Sequence, residues 1–166
     1  LAEELLADEK EVAEHRMLVD LGRNDIGKIA QNKSVEITKY MEVEYFRYVM
    51  HLTSVVRGQL LPQLTAMDAL KSTLPAGTVS GAPKIRAMKR IYELEQEKRG
   101  VYAGAIGYLS ATGDMDFAIA IRTMILKNGR AYVQAGAGIV YDSIPTNEYQ
   151  ETINKAKSMT KIGEMQ

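Results

Sequence analysis

The chain has 166 residues, of which 46% are hydrophobic and 25% charged, a composition typical of a soluble globular protein with a core of its own. Its 21 basic and 21 acidic residues balance, so composition gives no electrostatic indication of a nucleic-acid or membrane-surface partner. The absence of cysteine excludes disulfides, thiolate metal sites and thiol catalysis.

Two features of the sequence bear on its setting. No apolar run reaches the ~20 residues of a membrane-spanning helix, and no signal-peptide pattern opens the chain, so we expect a cytoplasmic protein without membrane contact. Helical sequence begins at Leu1, without an initiating Met or an N-cap residue before it. This start predicts that the chain is a fragment of a longer protein.

The first half of the chain alternates helical and strand patterns. A helix is predicted from Leu1 to about Leu21, ended by the turn-forming residues of Gly22–Gly27. Strands are predicted at Val35–Val43 and Tyr48–Val56 from their period-two patterns. Thr65 and Asp68 have the spacing of a capping box, which predicts a short helix running to about Leu74.

The second half begins with a loop and a helix and then changes to a period of two. Residues 74–84 form the loop, Pro83 fits the first helical turn, and Lys98–Gly100 closes the helix. Three strands and a last helix follow, at Tyr102–Leu109, Met115–Leu126, Ala131–Ile139 and Glu148–Met159. Asn128-Gly129 is a strong hairpin signal. The pattern predicts helices with antiparallel hairpins rather than a βαβ array.

Two pairs of glutamates have helical spacing. Glu11 and Glu14 lie three apart near the start, and Glu148 and Glu151 lie three apart in the last helix, with Lys155 four further on. Mg²⁺ commonly takes one or two protein carboxylates and leaves its other positions to water and ligand oxygens. The pairs therefore suit a magnesium ion that holds an anionic substrate, and the alternative for each pair is a solvated helix face.

Other candidates lie on the predicted strands. Arg122 follows Ala118 and Ala120 on one strand face, where small residues leave room for a carboxylate ligand. The alternative is a structural ion pair. Gly136 and Gly138 share a face of the next strand, which indicates a bulge or a close approach of ligand to backbone.

Residues 77–81 could likewise present N–H groups to an anion at a helix N-terminus, or form a plain turn. His51 is a candidate near a reacting centre, against the alternative of a structural histidine. His15 is assigned a structural role.

Longer strings resemble the chorismate-utilising enzymes. They cover nearly the whole chain in order: EVAEHRMLVDLGRND from Glu11, VMHLTS from Val49, LPAGTVSGAPK from Leu74, AIAIRT from Ala118, QAGAGIV from Gln134 and EYQETINKA from Glu148. The 75–78 loop and Leu52 after His51 are more similar to the anthranilate-forming branch than to the aminodeoxychorismate-forming branch.

The resemblance implies a fold, a cofactor and a set of roles. The fold would be α+β, with antiparallel sheets packed between helices, of which this chain would supply only the C-terminal portion. Glu14 and Glu151 would bind Mg²⁺ with Glu11 and Glu148 beside them, and His51 would assist the elimination of pyruvate. The expected substrate-binding residues are Thr78, Tyr102, Arg122, Gly136, Gly138 and Lys155.

The resemblance also implies partners. Chorismate would be the substrate, ammonia would come from a glutamine amidotransferase subunit, and an N-terminal segment of the same enzyme would complete the catalytic domain. Within the family, aminodeoxychorismate, isochorismate or salicylate synthesis remains open. So does the possibility that this chain alone binds ligand without catalysis.

Overall fold

The computed structural model describes residues 2–45 and 50–160, and its secondary structure is α+β, as predicted. The helices are α1 Ala2–Ala7, α2 Glu9–Gly27, α3 Ala66–Thr73, α4 Gly77–Ser80, α5 Lys84–Leu94 and α6 Pro145–Thr160. The strands are β1 Glu36–Tyr45, β2 Met50–Arg57, β3 Ala105–Leu109, β4 Met115–Ile119, β5 Met124–Lys127 and β6 Arg130–Val133. Each strand pairs with its sequence neighbour as an antiparallel pair, β1 with β2, β3 with β4 and β5 with β6.

The chain divides into two compact units. The first comprises the residues up to Gly77 together with the turn Ala111–Asp114, and the second comprises Thr78–Ser110 and the residues from Met115 onward. None of the helices in the described ranges is both long enough and apolar enough to cross a membrane.

The predicted first helix is divided in two in the structure and extends beyond its predicted end. It breaks at Asp8, whose side chain accepts hydrogen bonds from the backbone N–H groups of Lys10 and Glu11 and so caps α2. It then continues to Gly27 rather than ending at Leu21. An interior glycine costs a helix about 1 kcal/mol, and the burial of Val19 offsets that cost. The buried Asp25 near the helix end pairs with Lys28 at 2.9 Å.

The hairpin β1–β2 packs against α2 through a polar contact. His15 Nε2 lies 2.7 Å from Ser54 Oγ, and the same hydroxyl oxygen accepts a hydrogen bond from the backbone N–H of Met41. Burial lowers the pKa of His15 below its usual 6.5. His15 therefore has the structural role expected of it. The start of the second predicted strand, Tyr48 and Val49, lies outside the described residues.

The helix α3 begins as predicted. The Asp68 carboxylate accepts hydrogen bonds from the backbone N–H and the hydroxyl of Thr65, which fixes the chain at the helix start. Its last residue is Thr73, one short of the predicted end.

The predicted 74–84 loop contains the one-turn helix α4, and α5 ends earlier than expected. Pro83 occupies the N-cap position of α5, one residue before the predicted place. The helix stops at Leu94 instead of Lys98–Gly100, because Glu95 takes an extended backbone conformation. Large apolar side chains of this helix face solvent within its unit, and among them Tyr92 is 88% exposed.

The β3–β4 hairpin includes a close backbone approach. A Cβ added at Gly107 would lie 2.0 Å from the Asp116 carbonyl oxygen and 2.7 Å from Phe117 Cα, so only glycine fits there. The first predicted strand residue, Tyr102, lies in a turn before β3.

The predicted long strand Met115–Leu126 is wrong, because the chain breaks between β4 and β5. The Ile121 N–H donates back to the Ile119 carbonyl, and Arg122 has a left-handed φ of 51°. The expected face of alternating Ala118, Ala120 and Arg122 does not form, since Ala118 is exposed while Ala120 is 2% exposed.

The last hairpin is shorter than predicted. Asn128 and Gly129 have the positive φ values, 52° and 71°, that a tight two-residue turn requires. Because β5 starts only at Met124, β6 has no partner residues beyond Val133, and the predicted strand to Ile139 is wrong. Gly136 and Gly138 therefore lie in an irregular segment and not on a strand face.

The core of the described chain is small. Its buried apolar residues are Val19 in the first unit and Ala120 and Met159 in the second, and they keep 2–7% of their surface exposed.

Candidate functional site

The last helix carries three of the predicted site residues on neighbouring turns. It starts at Pro145, whose missing N–H costs nothing in a first helical turn. Glu148 lies in that first turn, where the helix dipole favours a negative charge. The Lys155 ammonium forms an ion pair with Glu151 one turn before it. The sequence prediction of one helix with this spacing is confirmed.

Glu148 lines a cavity in the second unit. The cavity measures about 330 Å³, and the Glu148 side chain is only 5% exposed. Its walls are mostly apolar and come from the irregular segment and the start of α6: Ala137, Ile139, Val140, Ser143, Pro145, Tyr149 and Thr152. The segment is held there by Ser143, whose hydroxyl accepts a hydrogen bond from the Val140 N–H. A carboxylate is thus presented at the wall of a small pocket that is open to solvent, since the lining residues Ile139 and Tyr149 are exposed.

Lys155 also connects α6 to the glycine segment. Its ammonium donates to the Gly136 carbonyl oxygen at 3.2 Å. Gly136 also lies close to the Tyr102 side chain. A Cβ added at Gly136 would lie 2.9 Å from the Tyr102 hydroxyl oxygen. Four predicted site residues of the second unit, Tyr102, Gly136, Glu151 and Lys155, therefore form one continuous cluster, which we call the tyrosine–lysine cluster.

The other predicted residues of the second unit lie around the chain in exposed positions. Thr78 lies on α4 and Gly138 lies in the irregular segment before α6. Arg122 is exposed at the strand break. A non-glycine residue with positive φ is uncommon and is enriched at binding sites, where the surrounding structure maintains the strain.

The first unit contains the remaining candidates. The helical spacing of Ala7, Glu11, Glu14, Leu18 and Leu21 predicts one stripe in which both glutamates are buried among apolar residues. Glu11 is exposed and Glu14 half-buried on α2, so this prediction is wrong for Glu11. The stripe itself is interrupted because Ala7 belongs to α1. His51 is exposed on β2 and lies opposite Glu44 of β1.

The described residues contain no group of three or more His, Asp or Glu side chains already arranged around a common metal position. Each glutamate pair by itself supplies two carboxylates, the number that Mg²⁺ commonly takes from a protein. The sharing of one ion by both pairs stays a prediction.

Arg99 contacts several site elements, and sequence reasoning assigned it only to the end of a helix. Its Nη1 donates to the Val79 carbonyl oxygen at 2.6 Å, and its Nε and Nη2 donate to the two carboxylate oxygens of Glu95 at 2.8 and 2.5 Å. Its guanidinium carbon lies 5.6 Å from the centre of the Tyr102 ring, within cation–π range. The spacing of Glu95 and Arg99 was a signal for the ion pair, but nothing in the sequence indicated the contacts to Val79 and Tyr102.

The charges of this ion pair support each other. The hydrogen bond from Arg99 lowers the pKa of Glu95, and the hydrogen bond to Glu95 raises the pKa of Arg99. Both groups therefore stay charged at neutral pH.

Comparison with known proteins assigns the chain to a family. The sequence profile of the chorismate binding enzymes matches residues 1–161, nearly the whole chain. The chain belongs to the chorismate binding enzyme family. The family resemblance expected from the sequence strings is confirmed.

Relatives within the family are similar in sequence and in fold. The chain is 66% identical over 164 residues to anthranilate synthase component 1 of Lactococcus lactis subsp. lactis strain IL1403, which covers 99% of this chain and 36% of that protein. The crystal structure of anthranilate synthase component I from Streptococcus pneumoniae TIGR4 superposes with a TM-score of 0.92 at 86% identity, over 96% of this chain and 37% of that one.

A third family member is more distant. A Bacillus anthracis protein described as a 2,3-dihydroxybenzoate-specific isochorismate synthase superposes with a TM-score of 0.88 at 26% identity, over 99% of this chain and 44% of that one. The predicted fold class is confirmed by these family structures. The chain spans about a third of the length of the anthranilate synthase relatives it matches.

Proposed function

We propose that this chain is part of an anthranilate synthase component I, which converts chorismate and ammonia to anthranilate and pyruvate. One observation carries the proposal. Identity to proteins named anthranilate synthase component 1 or I reaches 66% and 86%, whereas identity to the isochorismate synthase-like structure is 26% at nearly the same TM-score. Because both kinds of relative share this fold, the fold does not distinguish their reactions. The higher sequence identity to the anthranilate synthases is what favours anthranilate formation.

The tyrosine–lysine cluster and Arg122 suit a substrate with two carboxylates. The Arg122 guanidinium is exposed and can bind one carboxylate through two parallel hydrogen bonds, and the Tyr102 hydroxyl can donate a third. Lys155 places a positive charge beside Gly136, whose missing side chain leaves room for the Tyr102 hydroxyl. These groups would bind and orient chorismate rather than change its covalent structure.

His51 is the proposed proton carrier. After ammonia has added to the ring and the hydroxyl has left, aromatisation requires removal of the ring proton at the aminated carbon as pyruvate departs. An imidazole is a suitable base at neutral pH. His51 is exposed on β2, so a ligand can reach it without opening the hairpin.

The glutamate pairs are the proposed magnesium ligands. Glu14 and Glu151 would hold the ion directly, with Glu11 and Glu148 beside them, and their carboxylate oxygens are the donors that Mg²⁺ prefers. When bound, the ion would supply electrostatic stabilisation of a substrate carboxylate. We further propose a glutamine amidotransferase subunit as the source of ammonia, and a cytoplasmic setting for the complex.

Product identification tests the reaction. This chain is placed in the S. pneumoniae component I in exchange for the segment it matches, which gives what we call the chimeric enzyme. Purified chimeric enzyme is incubated with chorismate, an ammonium salt and Mg²⁺, and the products are separated by chromatography. We expect anthranilate and pyruvate in equal amounts.

Three comparisons make the result decisive. The unmodified S. pneumoniae enzyme serves as the positive control, and omission of ammonium as the negative one. Aminodeoxychorismate or isochorismate as the product, or no product from a folded chimeric enzyme, would overturn the proposal. The 166-residue chain assayed alone distinguishes a segment that only binds ligand from one that is catalytic by itself.

A further inference from the structure

Arg99 is the one side chain in the described part of the second unit seen to contact α4, the end of α5 and the Tyr102 ring together. Two of these elements carry residues proposed to bind substrate, Thr78 beside Val79 on α4 and Tyr102 in the turn after α5. None of the roles proposed above uses Arg99.

The geometry of Arg99 is that of a rigid connector. Four contacts use almost the whole guanidinium: two hydrogen bonds to Glu95, one to Val79 and the ring face of Tyr102. The side chain is 23% exposed, so water screens these contacts only in part. The Tyr102 N–H also donates to the Arg99 carbonyl oxygen at 3.1 Å, which closes a tight turn between the two residues.

A lysine could not reproduce this arrangement. Its single ammonium is a point charge, whereas the planar guanidinium holds a carboxylate through two bonds and stacks on a ring at the same time. Arg90 on α5 provides a contrast. It forms an ion pair with Glu93, and the two side chains are 64% and 53% exposed. An exposed pair of this kind contributes little.

We propose that Arg99 is a positioning residue for substrate binding, which fixes Tyr102 and the Thr78 segment relative to each other through its contacts to the Tyr102 ring and to the Val79 carbonyl, with Glu95 orienting the guanidinium. The expected effect on substrate binding rests on the proposed function. The expected ordering of the two segments does not. The contacts of Arg99 described above are all to protein groups, so its role is to act through the residues it holds.

Steady-state kinetics of the chimeric enzyme test the consequence. Arg99→Lys should raise the chorismate KM by about 10- to 100-fold, since small misplacements of binding groups have effects of this size, and should change kcat by less than about threefold. Arg90→Lys, the matched control at an exposed arginine–glutamate pair on α5, should leave both constants unchanged.

A double-mutant cycle tests whether Arg99 acts through the ring. If it does, Arg99→Lys should have a smaller effect on KM in a Tyr102→Leu background than in the wild-type background. Equal effects in the two backgrounds, or a loss of kcat with unchanged KM, would overturn the positioning role.

Hydrogen exchange gives a readout that is independent of activity. In Arg99→Lys we expect amides of residues 78–81 and 100–104 to exchange about tenfold faster, from loss of local protection, with no change in Arg90→Lys. If the wild-type chimeric enzyme makes no anthranilate, the proposed function fails, while exchange still decides whether Arg99 holds these segments. If anthranilate forms and neither KM nor exchange responds to Arg99→Lys, the inference about Arg99 is wrong.

Discussion

Lys155 donates a hydrogen bond to the Gly136 carbonyl oxygen at 3.2 Å while its ammonium also pairs with Glu151. One side chain thus connects the last helix to the irregular glycine segment. It also places a positive charge beside a carboxylate that we propose as a magnesium ligand. Removal of this charge should therefore weaken binding of the anionic substrate without weakening binding of the cation.

Replacement of Lys155 by methionine should separate these two effects. We expect Lys155→Met to raise the chorismate KM of the chimeric enzyme by about 10-fold or more, since charged hydrogen bonds contribute ~1.5–3 kcal/mol. The Mg²⁺ concentration needed for half-maximal activity should fall or stay constant, because the Glu151 carboxylate has lost a competing cation. Both quantities come from initial rates of anthranilate fluorescence.

Lys157→Met is the matched control for this substitution. Lys157 lies two residues further along the same helix, is exposed and reaches Asn154 at 3.4 Å. It should leave both constants within about twofold of wild type, as is usual for surface changes. A rise in the magnesium requirement of Lys155→Met would contradict the placement of Mg²⁺ at Glu151.

Gly136→Ala should be tolerated only when the Tyr102 hydroxyl is removed. The added Cβ would lie 2.9 Å from the hydroxyl oxygen but 4.0 Å from the ring carbon that bears it, which is an ordinary contact distance. We therefore expect Gly136→Ala to lower the melting temperature and raise the chorismate KM. In a Tyr102→Phe background the same change should leave the melting temperature almost unaffected.

Thermal unfolding of the four proteins in this cycle, followed by circular dichroism, measures the coupling. Gly27→Ala is the control, because a Cβ there meets nothing within 4 Å and the position lies at the end of a helix. Additive losses in the double variant would mean that Gly136 does not approach Tyr102 in solution.

His51→Met should block pyruvate elimination more than amination. The thioether cannot accept a proton, and general base catalysis contributes ~10²–10⁴-fold to rates. Because His51 is exposed, the substitution should not disturb folding. Chromatography of the chimeric enzyme reaction should show an aminodeoxyisochorismate peak that grows while anthranilate stays low.

Arg57→Met, at the exposed end of the same strand, controls for a general effect on β2. It should leave the product ratio as in the wild type. If anthranilate and the intermediate fall together in His51→Met, the histidine serves binding or folding and not the elimination step.

The first unit should lose stability as the pH falls below the usual His15 pKa. Burial lowers the pKa of His15 in the folded chain, so the unfolded chain binds the proton more readily. The stabilisation from neutral His15 is fully present above pH 6.5 and is lost as the pH falls through the lower folded value. Urea unfolding of the 166-residue chain at a series of pH values measures this loss.

Two variants check the assignment. His15→Gln should remove this loss of unfolding free energy between neutral pH and the folded-state pKa of His15. The chain has two histidines, so His51→Gln leaves a single imidazole signal, whose NMR titration should have its midpoint below 6.5. A midpoint above 6.5 would mean that the bond to Ser54 holds an imidazolium instead.

The sequence predicted elements with a local chemical signal more reliably than those that depend on distant packing. The capping box of Thr65 and Asp68, the Asn128-Gly129 turn and the helical spacing of Glu148 and Glu151 are all found where the pattern placed them. Each is determined by a few neighbouring residues.

The two strand errors in the second half of the chain share a physical cause. Period-two patterns continue through Arg122, but the left-handed backbone at that residue ends one strand and thereby deprives the next hairpin of partners beyond Val133. Arginine gives no local signal for such a conformation. The Arg99–Val79 contact was missed for a similar reason, since it joins segments twenty residues apart that no spacing rule relates.

The small core of the described chain has a calorimetric consequence. Over residues 2–45 and 50–160 the buried apolar residues are confined to Val19, Ala120 and Met159, and large apolar groups such as Ile85 and Leu94 face solvent. Unfolding of this chain by itself would newly hydrate less apolar surface than unfolding of a compact domain of the same length. Its heat-capacity increment should therefore fall below the ~12–15 cal/mol/K per residue of compact domains, which gives a shallow stability curve across temperature.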